Sequence, residues 1–347
     1  MRTLVVGAGA IGGYFGGRLL EAGRDVTFLV RPRRAVEVAR TGLAIRSRLG
    51  DADLPEPPLV SADKLAETFD LVLLACKAYD LDGAMASFGP AVGPDTTILP
   101  LLNGIRHLEA LRARFGVASV LGGQCLISTT LDPEGRIVHL GVAHTLTFGE
   151  LDGSASARIE AIGSEFSAAR FEARPSNAIL QEMWEKWVFI AASAGITCLM
   201  RAPVGDIVAA GAADLAATLF AECAAIAAKE GFSPRPEFAE RTRAMLTAPN
   251  SPLTASMLRD IERGAPVEAD HILGDLLRRA ASTDGLLLRI AYAHAIAYEA
   301  RRARDRAAVA GRYNQEIPGT EACRGVDVDD PGHTSGRVSA AAIGRAR

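Results

Sequence analysis

Thr3-Leu4-Val5-Val6-Gly7-Ala8-Gly9-Ala10-Ile11-Gly12 decides the reading of the first half of this chain. A short apolar strand runs straight into Gly-x-Gly-x-x-Gly, and Ala10–Ala22 continues with helical spacing until Gly23. Alone the glycine pattern is weak. Placed directly after a strand and opening a helix, it is the context a dinucleotide-binding turn requires. Gly7 permits the tight turn, Gly9 lets the backbone approach a pyrophosphate, and Gly12 lets helix and strand pack closely. Gly7, Ala8, Gly9, Ala10, Ile11 and Gly12 together form the expected phosphate cradle, because a helix N-terminus offers free N–H groups and a positive dipole end.

Working outward, strand-like and helix-like segments alternate. Asp25–Val30 reads as a strand, Arg33–Arg40 as a helix and Leu43–Ser47 as a further strand. Pro55, Pro57 and Pro58 mark a loop, and Ala62–Thr68 reads as a short helix. Leu71–Cys76 is a continuous apolar run, which suits a strand buried on both faces of a parallel sheet. Thr96–Leu99 is a strand, Ile105–Phe115 a helix, and Val117–Thr130, Ile137–Leu140 and Thr145–Gly149 are strands around the turn Asp132–Gly135. Such alternation predicts a doubly wound α/β domain.

After Ala173-Arg174-Pro175-Ser176-Asn177 the chain turns alanine-rich. Ile179–Met200, Asp206–Lys229, Glu237–Leu246, Val267–Ala281 and Ile290–Ala308 read as helices, with no strand pattern among them. The expected organisation is an N-terminal Rossmann-type doubly wound sheet over residues 1–174, an all-helical C-terminal domain over 175–310 carrying the substrate, and a disordered tail over 311–347.

Composition removes other classes. The net charge is −3 and aromatics are 5% of the 347 residues, so neither electrostatics nor stacking favours a nucleic-acid partner. The longest uncharged apolar run, Trp187–Met200, is short of the ~20 residues a membrane span needs. The five cysteines are scattered and three sit in apolar runs, which suits a reducing cytoplasm. The histidines show no metal-ligand spacing, His139 and His144 being the nearest pair, and no metal is expected.

Two features bear on chemistry. The end of the second strand, where an NAD site places an acid, reads Phe28-Leu29-Val30-Arg31-Pro32-Arg33-Arg34. Arginine there suits the 2′-phosphate of NADPH, with Arg31 the expected contact. Only four of the 38 basic residues are lysine: Lys64, Lys77, Lys186 and Lys229. A lysine can exchange protons when burial lowers its pKa. Lys186 stands between Trp184 and Trp187 at the head of an uncharged helix, an apolar setting expected to do this, with Glu182 and Glu185 opposing it. A surface lysine is the alternative.

Three more stretches are Leu74-Ala75-Cys76-Lys77-Ala78-Tyr79-Asp80, Leu102-Asn103-Gly104-Ile105 and Trp184-Glu185-Lys186-Trp187. With the N-terminal glycines, and with Ser256-Met257-Leu258-Arg259-Asp260-Ile261 and Glu268-Ala269-Asp270, they closely resemble the ketopantoate reductase (2-dehydropantoate 2-reductase) family over roughly residues 1–305. The resemblance implies NADPH-dependent reduction of a 2-oxo acid to a 2-hydroxy acid, within pantothenate biosynthesis, in a cleft between the two domains. It implies Lys77 and Asn103 at the cofactor, Lys186 as proton donor and substrate contact, Ser256 at the substrate carboxylate, and Glu268 at the cofactor or orienting polar groups. Asn103 also falls to the substrate. The expected partner is a small 2-oxo acid, with a homodimer as the candidate assembly and the cytoplasm as location.

One departure stands out. The family's asparagines four and eight residues after the lysine are Ile190 and Ala194 here. Helical geometry returns Ser193 and Thr197 to the lysine's face, so their hydroxyls are the expected substitutes. A related reductase or dehydrogenase with another substrate, and an NADPH-binding sensor without turnover, stay open.

Overall fold

A computed structural model describes residues 1–281 and 285–315. The first half runs β1 (Thr3–Val6), α1 (Ala10–Glu21), β2 (Val26–Leu29), α2 (Pro32–Thr41), β3 (Leu43–Ser47), β4 (Ala52–Leu54), β5 (Leu59–Val60), β6 (Leu71–Leu74), α3 (Leu81–Phe88), β7 (Thr97–Pro100), α4 (Arg106–Phe115), β8 (Gly122–Leu131), β9 (Ile137–Gly149), α5 (Ala157–Phe166) and β10 (Glu172–Pro175). The second half runs α6 (Ile179–Met200), α7 (Val204–Ala209), α8 (Ala213–Lys229), α9 (Pro236–Leu246), α10 (Ser256–Glu262), a π-helical turn (Asp270–Gly274) continuing into α11 (Asp275–Arg278), and α12 (Leu286–Gln315). Residues Met1–Arg302 form one compact unit. Of the second, Ala303–Arg347, only the end of α12 is described.

The first sheet has the order β5-β2-β1-β6-β7, all parallel, with Val5 opposite Phe28 on one side and Leu73 on the other. Connections leave β1 in opposite directions, so its C-terminal end is the switch point where doubly wound sheets bind ligands. Both faces are buried. Leu4, Val6, Val72 and Leu74 join a core shared with α3, α4 and the C-terminal helices, while Val5, Leu71 and Leu73 face α1 and a second sheet. That second sheet, β10-β9-β3-β4 with β8 antiparallel on β9, covers the far side of α1.

Several expected boundaries move. The stretch around Pro175, expected as the boundary between the two domains, is strand β10, paired parallel with β9 through Arg174 opposite Thr147. Ile137–Gly149 is one long strand rather than two. The expected helix Asp206–Lys229 is two helices, separated at Gly211, whose φ of 79° no helix accommodates. Of the expected helix Ala62–Thr68 only a 3-10 turn, Ala62–Lys64, forms. Helix α12 continues to Gln315, past the expected start of the tail at 311. The rest of that expected tail, 316–347, lies outside the described residues.

Candidate active site

The glycine turn has one filled face and one open face. Gly7 has a φ of 99° and its N–H donates to the Leu29 carbonyl at 3.0 Å. A Cβ on Gly12 would lie 2.1 Å from the Gly7 carbonyl oxygen, so only glycine lets α1 close onto the turn. A Cβ on Gly9 would meet nothing within 4 Å. Gly9 caps α1 without a side-chain bond, and no acidic residue stands in the first helical turn. The N–H groups of Ala10, Ile11 and Gly12 have no carbonyl four residues back within the helix. An open, uncompensated cradle of this kind fits a dinucleotide pyrophosphate.

The three arginines after β2 have separate fates. Arg34 lies under the turn, donating Nε to the Ala8 carbonyl at 3.0 Å and Nη2 to the Gly135 carbonyl at 3.2 Å, so it braces the loop rather than facing a ligand. Arg33 is almost fully exposed and pairs with Glu37 along α2. Arg31, the expected phosphate contact, is exposed and pairs with Asp80 at 2.8 Å. Sequence reasoning missed Asp80 because the acid comes from the loop after β6, not from β2.

Lys77 and Glu268, expected at the cofactor, meet each other. Lys77 Nζ lies 3.2 Å from Glu268 Oε2 and 3.1 Å from Asp260 Oδ2, while Glu268 Oε1 accepts the Ala78 N–H at 2.9 Å. Burial works against the Lys77 charge, but the two carboxylates outweigh it and raise its pKa above the ordinary lysine value. Asp260, on α10, is a second residue missed from sequence, 183 positions from its partner.

Lys186 lies on α6 with Phe189 and Ile190, the half-buried residues of an otherwise buried stretch of that helix. Its Nζ donates to the Cys125 carbonyl of β8 at 2.7 Å. The tryptophans do not enclose it. Trp184 stacks on Phe232, Trp187 donates its indole N–H to the Ile272 carbonyl, and Arg279 lies over both rings. Neighbours one and two residues away leave a helix in other directions, so the expected apolar sandwich does not form. Glu182 bonds Arg174 and Ser176, and Glu185 bonds Arg235, leaving neither for the lysine. Burial pushes the Glu185 carboxyl up, and its bonds from Arg235 and Gln181 outweigh that and lower it.

The proposed hydroxyl substitutes face inward. Thr197 is fully buried, donates to the Ser193 carbonyl at 2.6 Å and lies 3.5 Å from the Ala255 N–H, so it ties α6 to the approach of α10. Ser193 is also buried and donates to the Ile190 carbonyl at 3.2 Å. Each hydroxyl spends its hydrogen on an α6 carbonyl, so toward a ligand it has only acceptor capacity left. Ser256 opens α10 and is exposed. Arg259, one turn on, is half-buried, bonds the Thr254 hydroxyl at 3.3 Å and pairs with no carboxylate among the described residues.

Asn103 sits in the turn after β7, where Gly104 has a φ of 74°. Behind that turn stands His271: a Cβ on Gly104 would be 3.1 Å from its ring. His271 stacks on the fully buried His107, with ring centroids 5.8 Å apart. Burial, then His271 and the Lys186 charge, hold His107 well below the ordinary histidine pKa. His139 and His144 stack elsewhere, bonded to Ser47 and Tyr14. Among the described residues no three metal-ligating side chains gather, and no helix is long and apolar enough to cross a membrane.

Residues 3–153 match the family model for ketopantoate reductase PanE/ApbA, and residues 178–296 match the model for its C-terminal part. A Bacillus subtilis (strain 168) protein described as the uncharacterized oxidoreductase YkpB is 41% identical over 305 residues, covering 87% of this chain and 100% of that protein. A 2-dehydropantoate 2-reductase of Archaeoglobus fulgidus is 29% identical over 279 residues, covering 80% of this chain and 90% of that protein. The crystal structure of 2-dehydropantoate 2-reductase from Geobacter metallireducens GS-15 superposes with a TM-score of 0.77 at 28% identity, covering 85% of this chain and 99% of that one.

Proposed function

The chain belongs to the ketopantoate reductase family, and from that premise we propose that it reduces a 2-oxo acid to a 2-hydroxy acid with NADPH, ketopantoate being the first substrate to test. Residues 1–174 are assigned to the cofactor and 175–310 to the substrate. The observation that carries the reading is Lys186. Its ammonium, at a half-buried position in a buried stretch of α6, is anchored at one N–H by the Cys125 carbonyl, leaving two donors for a substrate oxygen.

NADPH, when bound, supplies a hydride to the carbonyl carbon. The residues supply the rest. The glycine turn holds the pyrophosphate, and Arg31 takes the 2′-phosphate. Lys77 and Asn103 serve the cofactor, with Glu268 fixing Lys77 and the Ala78 N–H, and Asn103 reaching the substrate as well. Lys186 donates a proton to the carbonyl oxygen as alkoxide character develops. Ser256 holds the carboxylate, and Arg259, paired with no carboxylate among the described residues, adds a cation one helical turn away.

Ile190 and Ala194 favour a second reading of the substrate. A ketopantoate hydroxyl facing Ile190 would lack a partner, at a cost of ~1–3 kcal/mol, or about one to two decades in kcat/KM. The test follows NADPH absorbance with a panel of 2-oxo acids that includes ketopantoate and its deoxy analogue 2-oxo-3,3-dimethylbutanoate. A strong preference for ketopantoate defeats the less polar substrate. NADPH binding without turnover of any 2-oxo acid defeats the reductase reading in favour of a sensor.

A further inference from the structure

The loops after β2 and β6 meet over the glycine turn. Because β1 lies between β2 and β6 in the sheet, the Arg31–Asp80 ion pair spans the strand end from which Gly7–Gly12 departs. Asp80 immediately precedes α3, where an aspartate commonly caps the helix, yet its carboxylate makes no cap bond. It turns to the guanidinium instead. The pair is open to approach: the Arg31 side chain is 69% exposed and that of Asp80 30%.

We propose that Asp80 is a specificity-determining residue for the nucleotide, competing with the 2′-phosphate for Arg31 and accepting the 2′-hydroxyl of an unphosphorylated ribose. The proposal rests on the NADPH site described above. A phosphate reaching Arg31 must share the guanidinium with a carboxylate or displace it, and two anions at one cation repel. An ionised aspartate only accepts hydrogen bonds, so it is repelled by a 2′-phosphate and matched to a ribose hydroxyl. Strand β2 itself lacks the acid that NAD sites carry, and the loop after β6 supplies one at the same arginine. NADH is therefore admitted, and the advantage of NADPH is narrower than Arg31 alone would set.

Isothermal titration of the full chain with 2′,5′-ADP and AMP reads the adenosine end apart from catalysis, and titration with NADPH and NADH reads the whole ligand. For Asp80→Asn, the affinity for 2′,5′-ADP and NADPH should rise about 3-fold to 5-fold, the scale of an exposed ion pair. Affinity for AMP and NADH should fall, so the ratio between the two nucleotides widens. Asp80→Glu should keep the wild-type ratio. An unchanged or narrower ratio in Asp80→Asn overturns the proposal, as does weaker binding of the phosphorylated ligands, which would make Asp80 a support for Arg31. Wild-type protein that binds none of the four ligands overturns the nucleotide site itself, a separate outcome.

Discussion

The indole N–H of Trp187 donates to the carbonyl of Ile272 at 2.9 Å, across 85 residues. This bond fastens α6, one residue from Lys186, to the π-helical turn that holds His271 against Gly104. Trp187→Phe removes the donor and takes this bond from the Ile272 carbonyl, which costs ~0.5–1.5 kcal/mol. Thermal unfolding should shift down by several degrees, and an unchanged Tm would show that the carbonyl finds another donor.

Lys186→Ala should lower kcat by roughly 10²–10⁴-fold, the usual worth of a general acid. Affinity for NADPH, measured by titration, should change little. Lys186→Arg should not recover turnover, because a guanidinium does not release its proton. Near-normal turnover in the arginine variant would reduce the role of Lys186 to its charge.

Gly9 and Gly12 should separate binding from folding. Gly12→Ala drives a methyl into the Gly7 carbonyl and should destabilise the chain by ~1–3 kcal/mol, the cost of overpacking. Gly9→Ala meets no protein atom, so Tm should hold while NADPH affinity drops. Unaltered NADPH binding in Gly9→Ala would place the pyrophosphate elsewhere.

Ile190→Asn returns an amide to the helix position four residues after Lys186. The ratio of kcat/KM for ketopantoate over its deoxy analogue should rise about 10-fold, as a buried hydroxyl regains a partner. A ratio that does not move would remove position 190 from substrate recognition.

His107 gives a pH signature. Its pKa in the folded chain lies well below the ordinary 6.5, first by burial and then by His271 and Lys186. As pH falls, the unfolded chain takes up the proton first. Stability is therefore full above about pH 6.5 and declines below it, by up to ~1.4 kcal/mol per pH unit. Neither ring nitrogen has a hydrogen-bond partner among the described residues. His107→Phe should thus be tolerated at pH 7 and flatten the decline between about pH 6.5 and 5 in denaturant titrations. An unaltered slope would assign the decline to other groups, His271 among them.

Local signals were legible where one segment settles its own conformation. Thr3–Val6, Leu43–Ser47 and Ile179–Met200 have the boundaries their apolar patterning predicts, because each pattern is complete within the segment. The break at Gly211 hid inside a run of alanines, whose helix propensity stays high on both sides. Strand β10 hid because a Pro-containing edge strand is made by its partner β9, not by its own residues. The candidate site divides in the same way. Lys77, Lys186, Asn103 and Glu268 stand in recognisable stretches, whereas the Asp260 and Asp80 pairings are set by how loops and helices meet. Thr197 shared the right helical face, but the approach to α10 closes over that face.

The triad of Lys77, Asp260 and Glu268 bears on how this chain can be recombined. One cation comes from the sheet-bearing part and two anions from the helical part. Separated, the first would keep a charge without its counterions and the second two carboxylates brought close without the ammonium between them. A chimera joining the N-terminal half of one relative to the C-terminal half of another therefore inherits a matched set only if all three positions travel together. Modularity in this fold stops at the level of charge, even where the backbone would allow a clean cut.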